Sequence, residues 1–293
     1  MKKKEPKNKL QFQKAQEAIF VEGSIGLLAR KCFNVLLFHA LKKFELDEFH
    51  LKRSELSALI GYNSHDDESL KDALGEIMST RLEWDTLGSG KKPFHEKSPL
   101  LSYVGLSKGK ISYSFHAKLK EKLLCPTLYT WLKLEPMKAF SSKYSLTLWE
   151  ILSKFEEVES TGFKEIREFR KLLGAEGKYF DSFMKFNAKV LKPSVLEINR
   201  YAEFTVAMEC RRTGRKISHI KFIIKPNKQP SLFAINEQLQ IEMNPEKDLR
   251  EQSRKCFHSK IGNFGNCGSR YSNHLEPTDI CHFCEKFSQN KAH

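Results

Sequence analysis

An α+β fold, mainly helical and assembled from one element order used twice, is what this sequence predicts, and three observations carry the prediction. Residues 141–225 hold three segments with helical apolar spacing, followed by two extended runs around a glycine, the order of a winged helix. Residues 24–115 hold the same order without matching residue for residue, so the repeat is architectural. The length of 293 residues is comfortable for two domains, and a hydrophobic fraction of 40% with 22 Phe can fill two cores.

In the first half, residues 24–44 are expected as an amphipathic helix with Ile25, Leu28, Cys32, Phe33, Val35 and Leu36 on its apolar side. Residues 49–51 read as a short strand. Ser54 is a candidate N-cap for a helix that runs to Ile60 and stops at Gly61. A third helix over 68–79 turns Leu70, Leu74, Ile77 and Met78 inward, and Asp66, Asp67 and Glu68 at its start complement the helix dipole. Residues 81–87 alternate weakly. Residues 100–106 pair with 110–115 across Ser107-Lys108-Gly109, a hairpin turn with Lys108 and Lys110 at its tip. A helix over 116–124 and an extended 129–134 with Trp131 buried lead to Pro136.

The second half opens with a helix in SSKYSLTLWEILSKFEE (141–157). A second follows in FKEIREFRKLLG (163–174), with Ile166, Phe169, Leu172 and Leu173 inward and Gly174 as its stop. The third, from 178 to 191, sorts its residues by angle. At 100° per residue Phe180, Phe183, Met184, Asn187, Val190 and Leu191 share one side, while Lys178, Ser182, Lys185 and Lys189 fall within an arc of about 60° on the other. Pro193 is expected to break this helix at Lys192 and to start a short one carrying Val195, Leu196 and Ile198. The hairpin over 204–225 turns at Arg211-Arg212-Thr213-Gly214-Arg215-Lys216, four cations in six residues around a glycine.

Charge points the same way. The net charge of +14 suits a polyanionic partner. It is not spread evenly: residues 163–228 carry 16 Lys/Arg against 7 Asp/Glu, while residues 229–293 carry 8 of each. A helix that packs on one face and offers lysines from the other is shaped to enter a DNA major groove. Lys178, Lys185 and Lys189 can neutralise phosphates or donate to guanine O6 and N7, and Ser182 can contact either. Arg211, Arg212, Arg215 and Lys216 are placed to lie along the backbone or minor groove, where guanidinium groups bind phosphate bidentately.

The tail carries a different signal. Cys256, Cys267, Cys281 and Cys284 are separated by ten, thirteen and two residues, and Cys281-His282-Phe283-Cys284 is a C-x-x-C knuckle able to share one structural Zn²⁺. His258, His274 and His282 are alternative ligands. Seven cysteines, an odd number, fit a reduced cytoplasmic protein better than a disulfide scaffold. No run of about 18 apolar residues predicts a membrane span, and the lysine-rich N-terminus has no secretory apolar stretch. There is no phosphate-binding G-x-x-x-x-G-K-[ST], no H-x-H pair before a tyrosine and no convincing acid–base set, so a nucleotide-driven motor or a nucleic-acid-cleaving enzyme is disfavoured.

Three stretches resemble a known family, the iteron-binding plasmid replication initiators with tandem winged helices (the Rep_3 type). They are SSKYSLTLWEIL, residues 163–174, and KYFDSFMKFNAKVLKPSVLEIN; ARKCFNVLLFHAL gives a weaker match in the right place. The resemblance covers roughly residues 24–225 and departs from the usual pattern at Asn187 and Ala188, where arginine or lysine is common. It implies a non-enzymatic initiator that binds direct repeats in double-stranded origin DNA, helps to melt an adjacent AT-rich region and recruits host helicase and initiator. It also implies a homodimer in equilibrium with DNA-binding monomers. A tandem winged-helix transcriptional regulator without initiator activity is the alternative.

The expected organisation is a flexible basic arm (1–23) and a first winged helix for dimerisation and DNA contact (24–140). A second winged helix for the main DNA contact (141–228), a linker (229–255) and a Cys/His-rich tail with a structural zinc (256–293) complete it.

Overall fold

The computed structural model describes residues 10–19, 25–63, 66–87, 93–107 and 109–227. The first described residues form a strand. β1 (Gln11–Ala15) pairs antiparallel with β7 (Tyr129–Lys133), and one helical turn, α1 (Gln16–Ile19), follows. Residues 10–19 thus depart from the flexible arm expected over 1–23. Phe12 is buried edge-on against Phe38, with ring centroids 6.1 Å apart, and Lys14 is buried as completely as the apolar residues beside it. A lysine there reads as solvated in sequence because its partners lie 20 and 136 residues away.

Those partners belong to α2 (Leu27–Leu41) and α7 (Lys143–Ser153). The amphipathic reading of α2 is corrected: every residue from Ala29 to Ala40 is buried, Arg30, Lys31 and Asn34 included. Its polar side is covered by α6 (Leu134–Ala139) and by α7, the first helix of the second half. Glu150 of α7 accepts from Lys14 Nζ at 2.9 Å, from Arg30 at 2.5 Å and from Asn34 Nδ2 at 2.6 Å, and Lys14 also donates to Asn34 Oδ1 at 2.8 Å. Lys31 donates to the Lys138 carbonyl at 2.8 Å. Burial pulls the Lys14 ammonium down to about 8, against the pull of Glu150. Burial pushes the Glu150 carboxyl up, but Lys14, Arg30 and Asn34 together outweigh it and hold it below the usual carboxylate range. One carboxylate shared by two cations therefore ties β1, α2 and α7 together, and one continuous apolar core runs through both halves.

The first half continues as β2 (Phe49–Lys52), α3 (Arg53–Ile60), α4 (Asp67–Ser79), β3 (Arg81–Leu87), β4 (Pro93–Pro99), β5 (Tyr103–Ser107), β6 (Lys110–Ser114) and α5 (Ala117–Leu124). α3 begins one residue before the expected cap, with Lys52 rather than Ser54 at the N-cap position. Gly61 ends it at φ 69°, a left-handed conformation that glycine tolerates without strain. Asp66 caps α4 through the backbone N–H of Glu68 and Ser69. β3 is no weak strand: it pairs along its length with β4, an element the sequence pattern missed. Trp131 is only half-buried, edge-on to Tyr129.

The second half holds α7, β8 (Lys164–Glu165), α8 (Ile166–Leu172), a 3₁₀ turn (Lys178–Asp181), α9 (Phe183–Phe186), a π-helical stretch (Asn187–Leu191), α10 (Lys192–Tyr201), β9 (Phe204–Thr213) and β10 (Lys216–Pro226). The break expected at Pro193 does not occur, since helix runs without interruption from Phe183 to Tyr201. In a regular α-helix the proline ring meets the carbonyl four residues back. Here the helix widens just before it, and the Lys192 N–H reaches back five residues to the Asn187 carbonyl. The two halves share one sheet plan. The strand before the second helix pairs with the second strand of the hairpin, in the orders β2-β6-β5 and β8-β10-β9.

Candidate nucleic-acid interface

The helix from Phe183 to Tyr201 is seated by Phe186, Val190, Leu191, Ser194 and Ile198, all fully buried. Ser194 meets Ser145 of α7, Oγ to Oγ at 3.4 Å, and two small side chains at that crossing let the helices approach closely. Asn199 then clamps the helix to the hairpin, its Nδ2 donating to the Val206 carbonyl at 3.0 Å and its Oδ1 accepting from the Val206 N–H at 2.5 Å. Helix and hairpin are thereby one unit. The predicted packing face needs one exchange: Phe186 belongs to it, and Met184 does not, being 74% exposed. Four-residue α-helix gives way to π-helix at Asn187, so an ideal 100° step misplaces the flank.

The entry to this helix is held by Arg170 at the end of α8. Its guanidinium donates to the carbonyls of Ala175, Glu176 and Gly177 at 3.1–3.3 Å and pairs with Asp181 at 2.8 Å. The turn that carries Lys178 is fixed in this way, although Lys178 sits before the helix rather than on it. Ser182 occupies the N-cap position but makes no capping bond with its side chain, which leaves the exposed hydroxyl open. Lys185 and Lys189 lie one turn apart and exposed, with Lys185 Nζ 4.8 Å from the centre of the Tyr179 ring. Lys192 and Arg200 extend the exposed cations along α10. The expected break at Pro193 hid them, and carrying the helical period through the proline would have found them.

The hairpin projects well past the core. On β9 burial ends at Val206, and every residue from Glu209 to Thr213 is exposed, a span of roughly 15 Å at strand rise. The turn closes on Gly214 at φ 61°. A bulge between Ile217 and His219 increases the local twist, with Ser218 Oγ 2.6 Å from Thr213 Oγ1. Arg211 stacks over Phe163 at 3.9 Å, so its guanidinium is held against the domain. Lys221 is committed to Glu209 at 2.6 Å. Among the described residues no carboxylate pairs with Lys178, Lys185, Lys189, Arg211, Arg212, Arg215 or Lys216. Unpaired like charges at this density repel one another until an anion neutralises them.

In the first half Lys110 is exposed and stands directly opposite exposed Lys52 in the β2–β6 pair, a second like-charge contact that sequence reading missed. Lys108 lies outside the described residues, as do Cys256, Cys267, Cys281 and Cys284. No helix among the described residues is long and apolar enough to cross a membrane.

Comparison with known proteins places these elements. Residues 11–153 match the family model described as initiator replication protein, WH1, and residues 165–224 match that of initiator Rep protein, WH2. A curated Escherichia coli protein named as a replication initiation protein is 28% identical over 150 residues. The match covers 50% of this chain and 46% of that protein, so the chain spans about half the length of the relative. Among solved structures, domains 2 and 3 of RctB align over 68% of this chain and 81% of theirs at 10% identity, with a TM-score of 0.48. With both family models matched in chain order and the winged-helix architecture present twice, the chain belongs to the Rep-type replication initiator family, WH1 followed by WH2.

Proposed function

We propose that this protein initiates plasmid replication by binding directly repeated origin sequences, and that its second winged helix makes the principal contact. The observation that carries the reading is the consecutive match to both initiator winged-helix models. The exposed, unpaired cations of the second domain support it. Lys185 and Lys189, with Ser182 and Lys178 at the helix entry, face the major groove, while Arg211, Arg212, Arg215 and Lys216 follow the backbone. Lys110 and Lys108 of the first hairpin add phosphate contacts. No covalent chemistry belongs to this role: binding bends and strains the repeats, an adjacent AT-rich region opens, and host helicase and initiator are recruited to it. The first winged helix also mediates a homodimer in equilibrium with the DNA-binding monomer.

The test is replication in trans. A plasmid bearing the repeats but lacking this gene should replicate when the protein is supplied, and should fail with Lys185→Ala plus Lys189→Ala. Repression of a promoter by the wild type without any plasmid replication would reject the initiator role. Cleavage of origin DNA, or a covalent adduct with it, would reject the non-enzymatic one.

A further inference from the structure

Met184 is the most exposed of the large hydrophobic side chains among the described residues, at 74%. It stands in the first turn of the helix proposed to enter the groove, two residues after the Ser182 N-cap. Ala188, also exposed, follows it by one turn. Lys185 and Lys189 form the neighbouring column, again one turn apart, so the exposed face presents an apolar edge beside a cationic one. Resting in water, Met184 gains nothing from its position: the packing face is completed by Phe183, Phe186 and Val190 without it.

We infer that Met184, with Ala188 beside it, reads thymine by covering the C5-methyl groups that thymine displays in the major groove. The inference rests on the DNA-binding reading above. The major groove carries one apolar feature, the thymine methyl, and small or flexible apolar side chains recognise it by contact. Met suits the task because its unbranched thioether adapts to the position of the methyl. The surrounding charge selects the same occupant. The adjacent lysines have no carboxylate partner, so an apolar protein surface docking here would bury unpaired cations, whereas DNA brings phosphates for the lysines and methyls for the methionine. The lysines hold the helix in register, and the Met184–Ala188 edge separates T·A from C·G at the base pairs it covers.

The probe is a duplex bearing one repeat, footprinted in the DNA flanking this protein's own gene, with each thymine replaced in turn by deoxyuridine. Deoxyuridine pairs and carries charge like thymine and lacks only the methyl. Anisotropy titrations should show wild-type affinity falling about fourfold for each methyl lost from the contact, at one or two positions only. Met184→Ala should bind the thymine duplex more weakly and be indifferent to uracil at those positions, and Met184→Leu should recover part of the sensitivity. A flat uracil scan with the wild type, or a scan unchanged in Met184→Ala, overturns the inference. If binding still collapses in Lys185→Ala plus Lys189→Ala, that failure belongs to the methyl reading alone. If that double variant binds as the wild type does, the groove assignment of the helix fails and this inference with it.

Discussion

The two winged helices present third helices of opposite charge. α4 of the first carries Asp67, Glu68, Asp72 and Glu76 against a single lysine, Lys71. The helix from Phe183 to Tyr201 in the second carries Lys185, Lys189, Lys192 and Arg200 against a single carboxylate, Glu197. Their carboxylates and cations are also differently engaged. In α4, Asp67 pairs with Arg53, Glu68 with Lys71, and Glu76 accepts from the Gly26 N–H at the start of α2. On the helix from Phe183 to Tyr201, Lys185 and Lys189 meet no carboxylate among the described residues. The same position in the same element order thus serves internal pairing in one domain and stands open to an anion in the other. A winged helix does not by that fact alone offer its third helix to DNA; the charge and its partners decide.

The largest effect expected of any change concerns the buried cluster that joins β1, α2 and α7, where two cations share one carboxylate. Glu150→Ala strands Lys14 and Arg30 in the core without a counter-charge and should cost about 3–5 kcal/mol in denaturant unfolding. Acid should act through the same group. The folded-state pKa of Glu150 is depressed, so its contribution is present above the ordinary carboxylate value and is lost as pH falls through the folded one. A Glu150→Ala protein that melts as the wild type does would remove the contrast between paired and open cations.

Next in size is the open set. Lys185→Ala with Lys189→Ala should weaken origin binding about a hundredfold in salt-titrated shift assays while leaving the unfolding curve in place, since both side chains are exposed. Wing changes rank below that. Arg212→Ala with Arg215→Ala should lower affinity about tenfold on any sequence and reduce the salt slope by about 2. The smallest effect tests α4 directly. Glu68→Gln with Asp72→Asn should change affinity by less than about twofold, because neither side chain is proposed to meet DNA and screened surface charges contribute little. A gain of tenfold or more would mean that α4 lies against phosphates after all, and the two helices would then differ in strength rather than in role.

Much of the second domain was legible because its signals are local. Gly214 and Gly174 announced a hairpin turn and a helix stop, and both adopt positive φ. The sorting of Lys185 and Lys189 away from Val190 and Leu191 needed only the helical period. Where the pattern failed, a non-local or irregular feature had intervened. Met184 and Phe186 exchanged places at the onset of a π-helix, and Lys192 and Arg200 were hidden behind a proline that the widened helix accommodates.

The element order, the wing and the cationic face follow from residue spacing and turn chemistry, which act over a few residues and so are written in any short window of the chain. The burial of Lys14, Arg30 and Asn34 follows from nothing near them. Their shared partner, Glu150, lies more than a hundred residues away in sequence, and only the packing of α7 against α2 and β1 brings it within hydrogen-bonding distance. A lysine is a solvated charge or a core residue according to what closes over it, and that is a property of the assembled fold rather than of the segment.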